Sequence, residues 1–297
     1  MGHAILLKLL VYPLSLLPMR VLYGLADLCY FFVYKLFRYR RDVVVQNTSR
    51  SFPEKSYREI KFITKQFYRH FCDLLIEILK YYSIREKTQK QNIRFTNTEA
   101  LDELYDAGKN VILLLGHYAN WEALNVLPKY IKAPVGAVYS PLSNKLSDRL
   151  IMQVRTRFGV RMYPMQRIAR HILSHRDART VYLFVADQSP GVQSKYHTTF
   201  LHQPTLFFTG AEKLAAATRS AVVYVHFEKT GRGKYTGAII PVTNDGAQEP
   251  EGAITQKYVE LLEANIRENN TLWLWTHKRW KNIRQLNIHI DKNETIK

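Results

Sequence analysis

The chain has 297 residues and a formal net charge of +18, from 43 lysines and arginines against 25 aspartates and glutamates. This length allows one large domain or two small ones, and the charge indicates an anionic partner, either a lipid or a nucleic acid. The basic residues are spread widely and form no helix-turn-helix, zinc-finger or RNA-binding signature, so nucleic acid is not the expected partner. Cys29 and Cys72 have no metal-binding or redox spacing, and we expect both to be buried small apolar residues in a reducing compartment.

The first 37 residues are rich in apolar and aromatic side chains. Lys8, Pro13, Pro18, Asp27 and Lys35 interrupt them, so neither apolar stretch reaches the roughly 20 uncharged residues of a spanning helix. A signal peptide is not expected, because the segment begins with almost no positive charge and has no convincing cleavage site.

A cationic cluster, Arg38-Tyr39-Arg40-Arg41, follows this apolar segment. That order predicts a membrane-seated anchor over residues 1–37 and a separate body over residues 38–297 on the cytoplasmic side. The alternative is a core helical hairpin followed by solvated charges.

The remaining apolar pattern predicts an α/β fold. Helical spacing marks helices, and short apolar runs mark buried strands. The predicted helices cover residues 56–82, 99–107, 121 to about 132, 145–158, 211–218 and 254–266. The predicted strands cover residues 111–115, 134–139, 180–186, 221–227 and 235–240, the last two joined by a basic hairpin. Strands that alternate with helices predict a central, mostly parallel sheet flanked by helices.

The strand predicted over residues 111–115 ends at Gly116 and His117. Asn120 is a good helix N-cap, which would place Glu122 in the first turn of the next helix. On one continuous helix His117 and Glu122 would point about 140° apart, but across a strand-to-helix turn they can approach. A carboxylate that accepts the proton of one imidazole nitrogen leaves the other nitrogen free as a base. The sequence therefore predicts a His117–Glu122 pair, and the alternative is a core histidine beside a surface glutamate.

Two other places carry candidate binding residues. On the helix predicted over residues 145–158, Arg157 projects within roughly 60° of the centre of the apolar stripe, and Arg155 lies about 120° from it. A buried arginine needs an anion, which a substrate phosphate or an internal salt bridge would supply. Asp187 and Gln188 follow a predicted strand, at the edge where α/β sheets place ligands; the alternative is an ordinary turn.

Several motifs together resemble those of the lysophospholipid acyltransferase superfamily, and more narrowly those of the lipid A biosynthesis acyltransferases. They run in the family's order from about residue 20 to residue 281. They are Arg40-Arg41 with Asn47 and Ser51-Phe-Pro-Glu54, Gly116-His117-Tyr-Ala-Asn120-Trp-Glu122, Tyr139-Ser-Pro with Asn144, Arg155-x-Arg157-x-Gly159, Asp187-Gln188 with Gly191, and Trp273-Leu-Trp275-Thr-His277-Lys-Arg279-Trp280-Lys281. The sequence departs at His202, where the family usually has glycine, and at Asn270-Thr271, where it usually has a proline.

This resemblance implies a glycerolipid acyltransferase-like domain over residues 38–297. It implies that His117 and Glu122 are catalytic, and that the residues binding substrate are Asn120, Asn144, Arg155, Arg157, Asp187 and Gln188. It further implies an acyl-carrier-protein or coenzyme A thioester as acyl donor, without a metal or a bound cofactor. The implied acceptor is an anionic lipid such as a lipid A precursor, or alternatively a lysophospholipid or amino-lipid, at the cytoplasmic face of the inner membrane.

The sequence itself favours direct acyl transfer over an acyl-enzyme. It contains no Gly-x-Ser-x-Gly elbow and no cysteine in a catalytic setting. An alternative from another class is a peripheral protein that uses its positive charge to bind anionic lipid and catalyses no reaction. A lipid hydrolase is a third possibility, and it would differ from the acyltransferase only in using water as the nucleophile.

Overall fold

A computed structural model describes residues 7–190 and 196–281 of the chain. Seven strands form one sheet in the order β1-β9-β8-β2-β5-β3-β4, and β6 and β7 form a separate two-stranded sheet. The strands are β1 (Ile93–Thr96), β2 (Val111–Leu115), β3 (Val135–Tyr139), β4 (Arg161–Pro164), β5 (Val181–Val185), β6 (His197–Phe200), β7 (Gln203–Leu206), β8 (Ala221–Gly231) and β9 (Lys234–Thr243). Neighbours in the large sheet are parallel except β8 and β9, so the predicted α/β fold with a mostly parallel sheet is confirmed.

Helices cover the sheet and precede it in the chain. The α-helices are α1 (Tyr12–Leu16), α2 (Met19–Tyr30), α3 (Arg41–Ser51), α4 (Tyr57–Tyr81), α5 (Glu86–Asn92), α6 (Glu99–Asp106), α7 (Lys145–Thr156), α8 (Met165–Ser174), α9 (Gly210–Thr218) and α10 (Ala253–Glu268). Two π-helical segments, Leu7–Val11 and Phe31–Leu36, and two 3-10 helices, Trp121–Lys129 and Gly246–Gln248, complete them. The helix predicted after Asn120 is thus a 3-10 helix, and the sequence prediction missed short elements such as β1, β4 and the β6–β7 hairpin.

Strand β2 lies at the centre of the sheet, between β5 and β8. All five of its residues are buried, as expected for an apolar strand covered on both faces. Leu115 at its carboxyl end is level with Val185 at the carboxyl end of β5. The polar residues that follow these two strands therefore leave the sheet side by side.

The N-terminal helices pack against the long helix α4. Leu22, Ala26 and Tyr34 are buried in this contact, and the Tyr23 hydroxyl donates a hydrogen bond of 3.2 Å to Glu77 on α4. The division into an anchor over residues 1–37 and a domain over residues 38–297 stays a prediction.

The outer face of the same N-terminal helices is apolar. The exposed large apolar residues there are Leu9, Leu10, Leu16, Val21, Leu25, Leu28, Phe31, Phe32, Leu36 and Phe37. Within the described part of the chain, no single helix has both the length and the apolarity to cross a bilayer. The segments Leu9–Leu16 and Met19–Leu36 meet those two criteria only as a pair, and they are bent by 117° relative to each other.

Helix α3 contacts the C-terminal tryptophan segment, which is residues 273–281. Asn47 and Trp275, which are bonded in this contact, lie 228 residues apart in the chain. The Asn47 side-chain amide donates hydrogen bonds to the carbonyl oxygens of Trp275, at 2.9 Å, and His277, at 3.0 Å. Arg40 donates to the carbonyl of Thr276 at 3.1 Å, and the Phe52 ring meets the Trp275 ring edge to face. The first and last motifs of the chain therefore form one unit.

The tryptophans of this segment are interior residues. Trp273, Trp275 and Trp280 are buried, as is the guanidinium of Arg279, which lies over the Phe207 ring. The aromatic and basic pattern of this segment is compatible with two positions, against the sheet or in a lipid headgroup layer. Burial in the interior is the one observed for the tryptophans, and placement in a headgroup layer is wrong. Lys278 and Lys281 remain exposed.

The turn between β6 and β7 explains one departure from the family pattern. Its two residues, Leu201 and His202, have φ angles of 48° and 61°. Two-residue hairpin turns of this left-handed kind favour glycine because it has no side chain to clash. His202 adopts the conformation that a glycine would, and its ring Nε2 lies 3.2 Å from Arg267.

Replacing Asn47 by alanine should destabilise the fold, because the buried carbonyl of Trp275 and the partly buried carbonyl of His277 would lose their donor. We expect the free energy of unfolding to fall by about 1–3 kcal/mol, measured by urea unfolding. The matched control is Asn244→Ala on an exposed side chain, for which a change within about 0.5 kcal/mol is expected. Equal changes for the two variants would mean that Asn47 does not join α3 to the tryptophan segment.

Candidate active site

His117 and Asp187 meet at the carboxyl edge of the sheet. Each lies two residues beyond a strand end, and those strand ends, Leu115 and Val185, are paired neighbours. The His117 ring nitrogen Nδ1 is 2.6 Å from Asp187 Oδ1, and the His117 backbone N–H donates to Oδ2 at 2.7 Å. Gly116 permits this approach, since a Cβ there would lie 2.6 Å from Leu262 and 3.3 Å from Asp187 Oδ2.

Asp187 is held as a buried carboxylate. Its residue surface is 3% exposed, and the Trp273 indole N–H is a third donor, at 2.7 Å from Oδ2. Burial alone would raise the pKa of this carboxyl, but the charge and the hydrogen bond of His117, with the other two donors, outweigh burial and lower the pKa to about 2. The group is therefore an acceptor at every ordinary pH.

This pairing fixes the tautomer of His117. A carboxylate can only accept a hydrogen bond, so Nδ1 carries the proton and Nε2 keeps its lone pair. The side chain of His117 is 17% exposed, the Gln188 amide nitrogen is 3.4 Å from Nε2, and the ring edge packs on Trp121 with centroids 4.9 Å apart. This arrangement leaves one imidazole nitrogen with its lone pair on a partly exposed side chain, a geometry in which an imidazole can act as a general base.

The predicted contact between Glu122 and His117 is wrong. The Glu122 carboxylate forms a two-pronged ion pair with Arg155, at 2.8 Å to Nε and 2.6 Å to the terminal nitrogen, and accepts a bond of 3.1 Å from the Trp121 indole. The sequence argument placed the carboxylate partner five residues along the chain, whereas the sheet supplies it from the neighbouring strand. Whether Glu122 is needed for catalysis stays a prediction.

The Glu122–Arg155 pair borders a narrow apolar pocket beside His117. Its walls come from the sheet and from the strand-to-helix turn, and include Leu115, Trp121 and Leu183. Its volume of ≈ 50 Å³ has room for only a few atoms.

Three hydrogen bonds hold the loop that follows His117. The Ala119 N–H donates to the Leu272 carbonyl, and the Leu274 N–H donates to the His117 carbonyl, both at 3.0 Å. The His70 ring Nε2 is 3.1 Å from the Ala119 carbonyl, so it is the donor there. Ala119 has a φ of 52°, a conformation that these bonds maintain against its steric cost.

Asn120 occupies the N-cap position of the 3-10 helix, but its side chain does not cap. Its amide instead donates to the carboxylate of Glu77 at 2.7 Å and to the Tyr81 hydroxyl at 2.9 Å, both on α4. Burial raises the pKa of Glu77, and Tyr235 also donates to this carboxylate. The structure therefore places Asn120 as an anchor of the loop, which corrects the expectation of a side-chain cap.

Two further predicted binding residues have structural partners. Asn144 caps the start of α7 by accepting from the N–H groups of Leu146 and Ser147. Arg157 donates to the carbonyls of Tyr82 and Ile84, just past the end of α4, at 2.8 and 2.9 Å. The internal salt bridge is not the interpretation observed for Arg157 among the described residues, because backbone carbonyls are its partners, and its contact with a substrate phosphate stays a prediction. Gly191 lies outside the described residues.

Sequence reasoning placed Trp273 in a motif without giving it a role in the site, and it missed His70 and Glu77. A signal for the Asp187 pairing was available, since both β2 and β5 end in polar residues at the ligand-binding edge of the sheet. His70 and Glu77 gave no such signal, because both lie on an amphipathic helix whose partners are distant in sequence.

Stability should depend on pH through His70. Burial, then the nearby Lys229 charge, lowers the pKa of His70 to about 3, against about 6.5 in an unfolded chain. Below pH 6.5 the unfolded chain therefore binds a proton here that the folded chain does not, so stability falls as pH falls. Between pH 7 and pH 5 we expect His70 to account for a loss of ~2 kcal/mol in the free energy of unfolding.

Urea unfolding of His70→Gln at the two pH values tests this. Glutamine can still donate to the Ala119 carbonyl and accept from Lys229, whose ammonium lies 3.3 Å from His70 Nδ1, but it does not titrate. The loss between pH 7 and pH 5 should shrink in His70→Gln and persist in His175→Gln, where the histidine is exposed. An unchanged pH dependence in His70→Gln would contradict the buried, neutral state of His70.

Residues 4–282 of the chain match the family described as bacterial lipid A biosynthesis acyltransferase. Two similar curated proteins, both from Haemophilus influenzae and both named lipid A biosynthesis acyltransferase, are each 26% identical to the chain. One match covers 164 residues, 54% of this chain and 52% of the relative, and the other covers 193 residues, 63% and 61%. The chain thus spans about half to three-fifths of the length of these relatives. The match across nearly the whole sequence shows that this chain belongs to the bacterial lipid A biosynthesis acyltransferase family.

Proposed function

We propose that this chain is an acyltransferase that moves a fatty acyl group from a thioester to a hydroxyl or amine of an anionic lipid. The donor is a thioester of acyl carrier protein or coenzyme A, and the acceptor is a lipid A precursor. The observation that carries the proposal is the His117–Asp187 pair, which leaves an imidazole lone pair at the solvent-accessible edge of the sheet. A lysophospholipid or an amino-lipid is the alternative acceptor.

The chemistry needs no covalent enzyme intermediate. His117 Nε2 takes the proton of the acceptor hydroxyl as its oxygen attacks the thioester carbonyl, and Asp187 stabilises the imidazolium that forms. The carbon–sulfur bond then breaks, and the imidazolium returns the proton to the departing thiolate. The products are an ester and a free thiol. Cys72 is not a competing nucleophile, because it is buried and burial raises its pKa.

The apolar pocket beside His117 is where we place the start of the acyl chain. Its walls are apolar apart from the Glu122–Arg155 pair, Asn125 and the Trp121 indole N–H, and Leu115 and Trp121 connect it to His117. At ≈ 50 Å³ the pocket must widen to admit a longer chain. The Glu122–Arg155 pair fixes the position of α7 against the 3-10 helix and so sets the shape of this pocket.

The N-terminal helices supply the membrane surface. They expose an apolar face that includes Leu28, Phe31 and Phe37, followed by the cationic cluster that begins at Arg38. Apolar helices that lie in the interface, flanked by cations that bind anionic headgroups, associate with membranes without spanning them. We place this surface at the cytoplasmic face of the inner membrane. A protein that binds lipid without chemistry would share this surface but would not need the His117–Asp187 pair.

Replacing Asp187 by asparagine should lower kcat for acyl transfer by about 10²–10⁴-fold. The amide cannot hold His117 in the same tautomer or stabilise the imidazolium, and the expected loss approaches that of His117→Ala. The assay follows thiol release and lipid product with purified protein and a thioester donor.

Glu122→Gln and Arg155→Gln are the matched variants for this test. Either substitution breaks the same ion pair, so the double variant should lose little more activity than either single variant. If Glu122→Gln abolished transfer in a folded protein while Asp187→Asn stayed active, the carboxylate partner predicted from the sequence would be the catalytic one and Asp187 would not.

A double substitution of Leu28 and Phe31 by aspartate should weaken binding to vesicles that contain anionic lipid, because it places charges in the exposed apolar face. Co-sedimentation with vesicles measures the effect, and circular dichroism checks the fold. Leu173→Asp, on an exposed apolar residue of α8, is the control and should bind as the unchanged protein does. Equal binding by all three proteins would exclude this face as the membrane surface.

A further inference from the structure

A second, larger cavity of ≈ 910 Å³ opens on the other side of the loop after His117. It lies between α2, α4, the β8–β9 hairpin and the segment that precedes Trp273. Among the side chains that line it are Arg69, His70, Asp73, Lys229 and Arg232. The proposed reaction at His117 assigns no role to this cavity.

The cavity wall holds more cations than its own acids neutralise. Arg232 is fully paired, with Asp27 at 2.8 Å and Asp73 at 2.6 Å. Lys229 is 3.8 Å from Asp73, and the nearer group is the neutral ring of His70, whose Nδ1 is 3.3 Å from the ammonium. Arg69 lies over the Tyr30 ring and, within the described part of the chain, has no carboxylate within 4.0 Å. Three cations therefore face two carboxylates, an excess of one positive charge, and Arg69 is the cation that has no carboxylate partner among the described residues.

The polar groups left over on this wall are mostly donors. The guanidinium of Arg69, the ammonium of Lys229 and the amide of Gln66 line the cavity. Charged donors bind phosphate oxygens more strongly than neutral donors do. The chemistry of this wall thus suits an anion that has several acceptor oxygens.

The rim of the cavity is apolar on the side of the N-terminal helices. Phe62 on α4 lines it and is 58% exposed, and Tyr30 ends α2, whose outer face exposes Leu25 and Leu28. A ligand that occupies the cavity would meet donors inside and apolar surface outside. This combination fits an amphiphile with an anionic head group and not a free inorganic anion.

The cavity is connected directly to the loop of the candidate active site. His70, in its wall, donates to the Ala119 carbonyl, and Leu272, also in its wall, accepts from the Ala119 N–H. An extended chain spans at most ~3.6 Å per residue, so Ala119 lies within about 7 Å of His117. The wall of the cavity is therefore bonded to the same loop that begins at His117.

We propose that this cavity binds the phosphate-bearing head group of the lipid acceptor, with Arg69 and Lys229 as the groups that contact the phosphate. The assignment rests on the proposed acyl transfer, because it takes the occupant to be the acceptor. Binding of a phosphate lipid can be measured without any transfer, so the two proposals can fail separately.

The test uses the purified full-length chain and vesicles of phosphatidylcholine with a minor fraction of phosphatidic acid, whose head group is a phosphate monoester. Arg69→Gln and Lys229→Gln should each weaken vesicle binding about tenfold, the size expected for one lost charge-assisted contact. Lys65→Gln is the matched control, since Lys65 is exposed on α4 one turn before Arg69 and does not line the cavity. It should bind within about twofold of the unchanged protein, as expected for a surface charge.

Competition by inorganic phosphate distinguishes a cavity that binds free phosphate from one that binds the phosphate of a lipid head group. If millimolar phosphate abolishes the difference between Arg69→Gln and the unchanged protein, the cavity binds free phosphate and the head-group assignment is overturned. If the difference persists, the lipid is the ligand. In the transfer assay, Arg69→Gln should raise KM for a phosphorylated acceptor about tenfold and leave KM for its dephosphorylated form unchanged.

The outcomes separate the two proposals. Equal vesicle binding and equal KM for Arg69→Gln, Lys229→Gln and Lys65→Gln, in an enzyme that transfers acyl chains, would overturn the cavity assignment alone. A protein that binds phosphatidic acid through Arg69 but transfers no acyl group from any thioester would overturn the proposed function and leave the cavity as a phosphate-lipid site.

Discussion

The buried carboxylate of Asp187 is the group on which the geometry of the site depends. An ionised carboxylate in the protein interior is costly unless each oxygen is hydrogen-bonded, and here the donors are the backbone N–H and ring of His117 and the indole of Trp273. The backbone N–H is held by the end of β2, and the ring N–H belongs to the imidazole itself. The indole N–H is brought in by the segment that follows α10. Removing one would leave the buried carboxylate short of a hydrogen bond, so the need to satisfy Asp187 also fixes where His117 can lie.

The same requirement explains why distant segments of the chain meet at this edge. Trp273 can reach Asp187 only if its segment is held against the loop after His117, and backbone bonds at Ala119 and Leu274 do this. The segment is in turn held from behind by Asn47 of α3. A fold in which local helices and strands formed correctly but α3 failed to dock would leave Trp273 free to move and the carboxylate short of one donor.

The sequence predicted the sheet and the edge on which the site lies, but not the pairing within the site. Apolar runs identify β2 and β5 as buried strands, and polar residues at their ends identify His117 and Asp187 as candidates. The apolar periodicity of the sequence does not show that β5 is the neighbour of β2, because the order of the strands in the sheet depends on how the helices between them pack. The partner nearest in sequence, Glu122, was therefore assigned a contact that Asp187 makes. Periodicity could not predict the partners of three other residues either, because only the folded chain brings those backbone and side-chain groups close. These residues are Asn120, Asn144 and Arg157.

The Glu122–Arg155 pair has a physical reason to exist even though it does not touch His117. A salt bridge bordered by apolar walls such as Leu115 and Leu183 gains little net stability, because removing both charges from water costs about as much as their attraction returns. Its two parallel bonds do impose one orientation on α7 relative to the turn that carries Trp121. Trp121 packs on the His117 ring, so an ion pair that contributes little to folding still determines the wall against which the imidazole rests. The five-residue spacing from histidine to glutamate then reflects the length of the turn that this wall requires, and not a hydrogen bond between the two side chains.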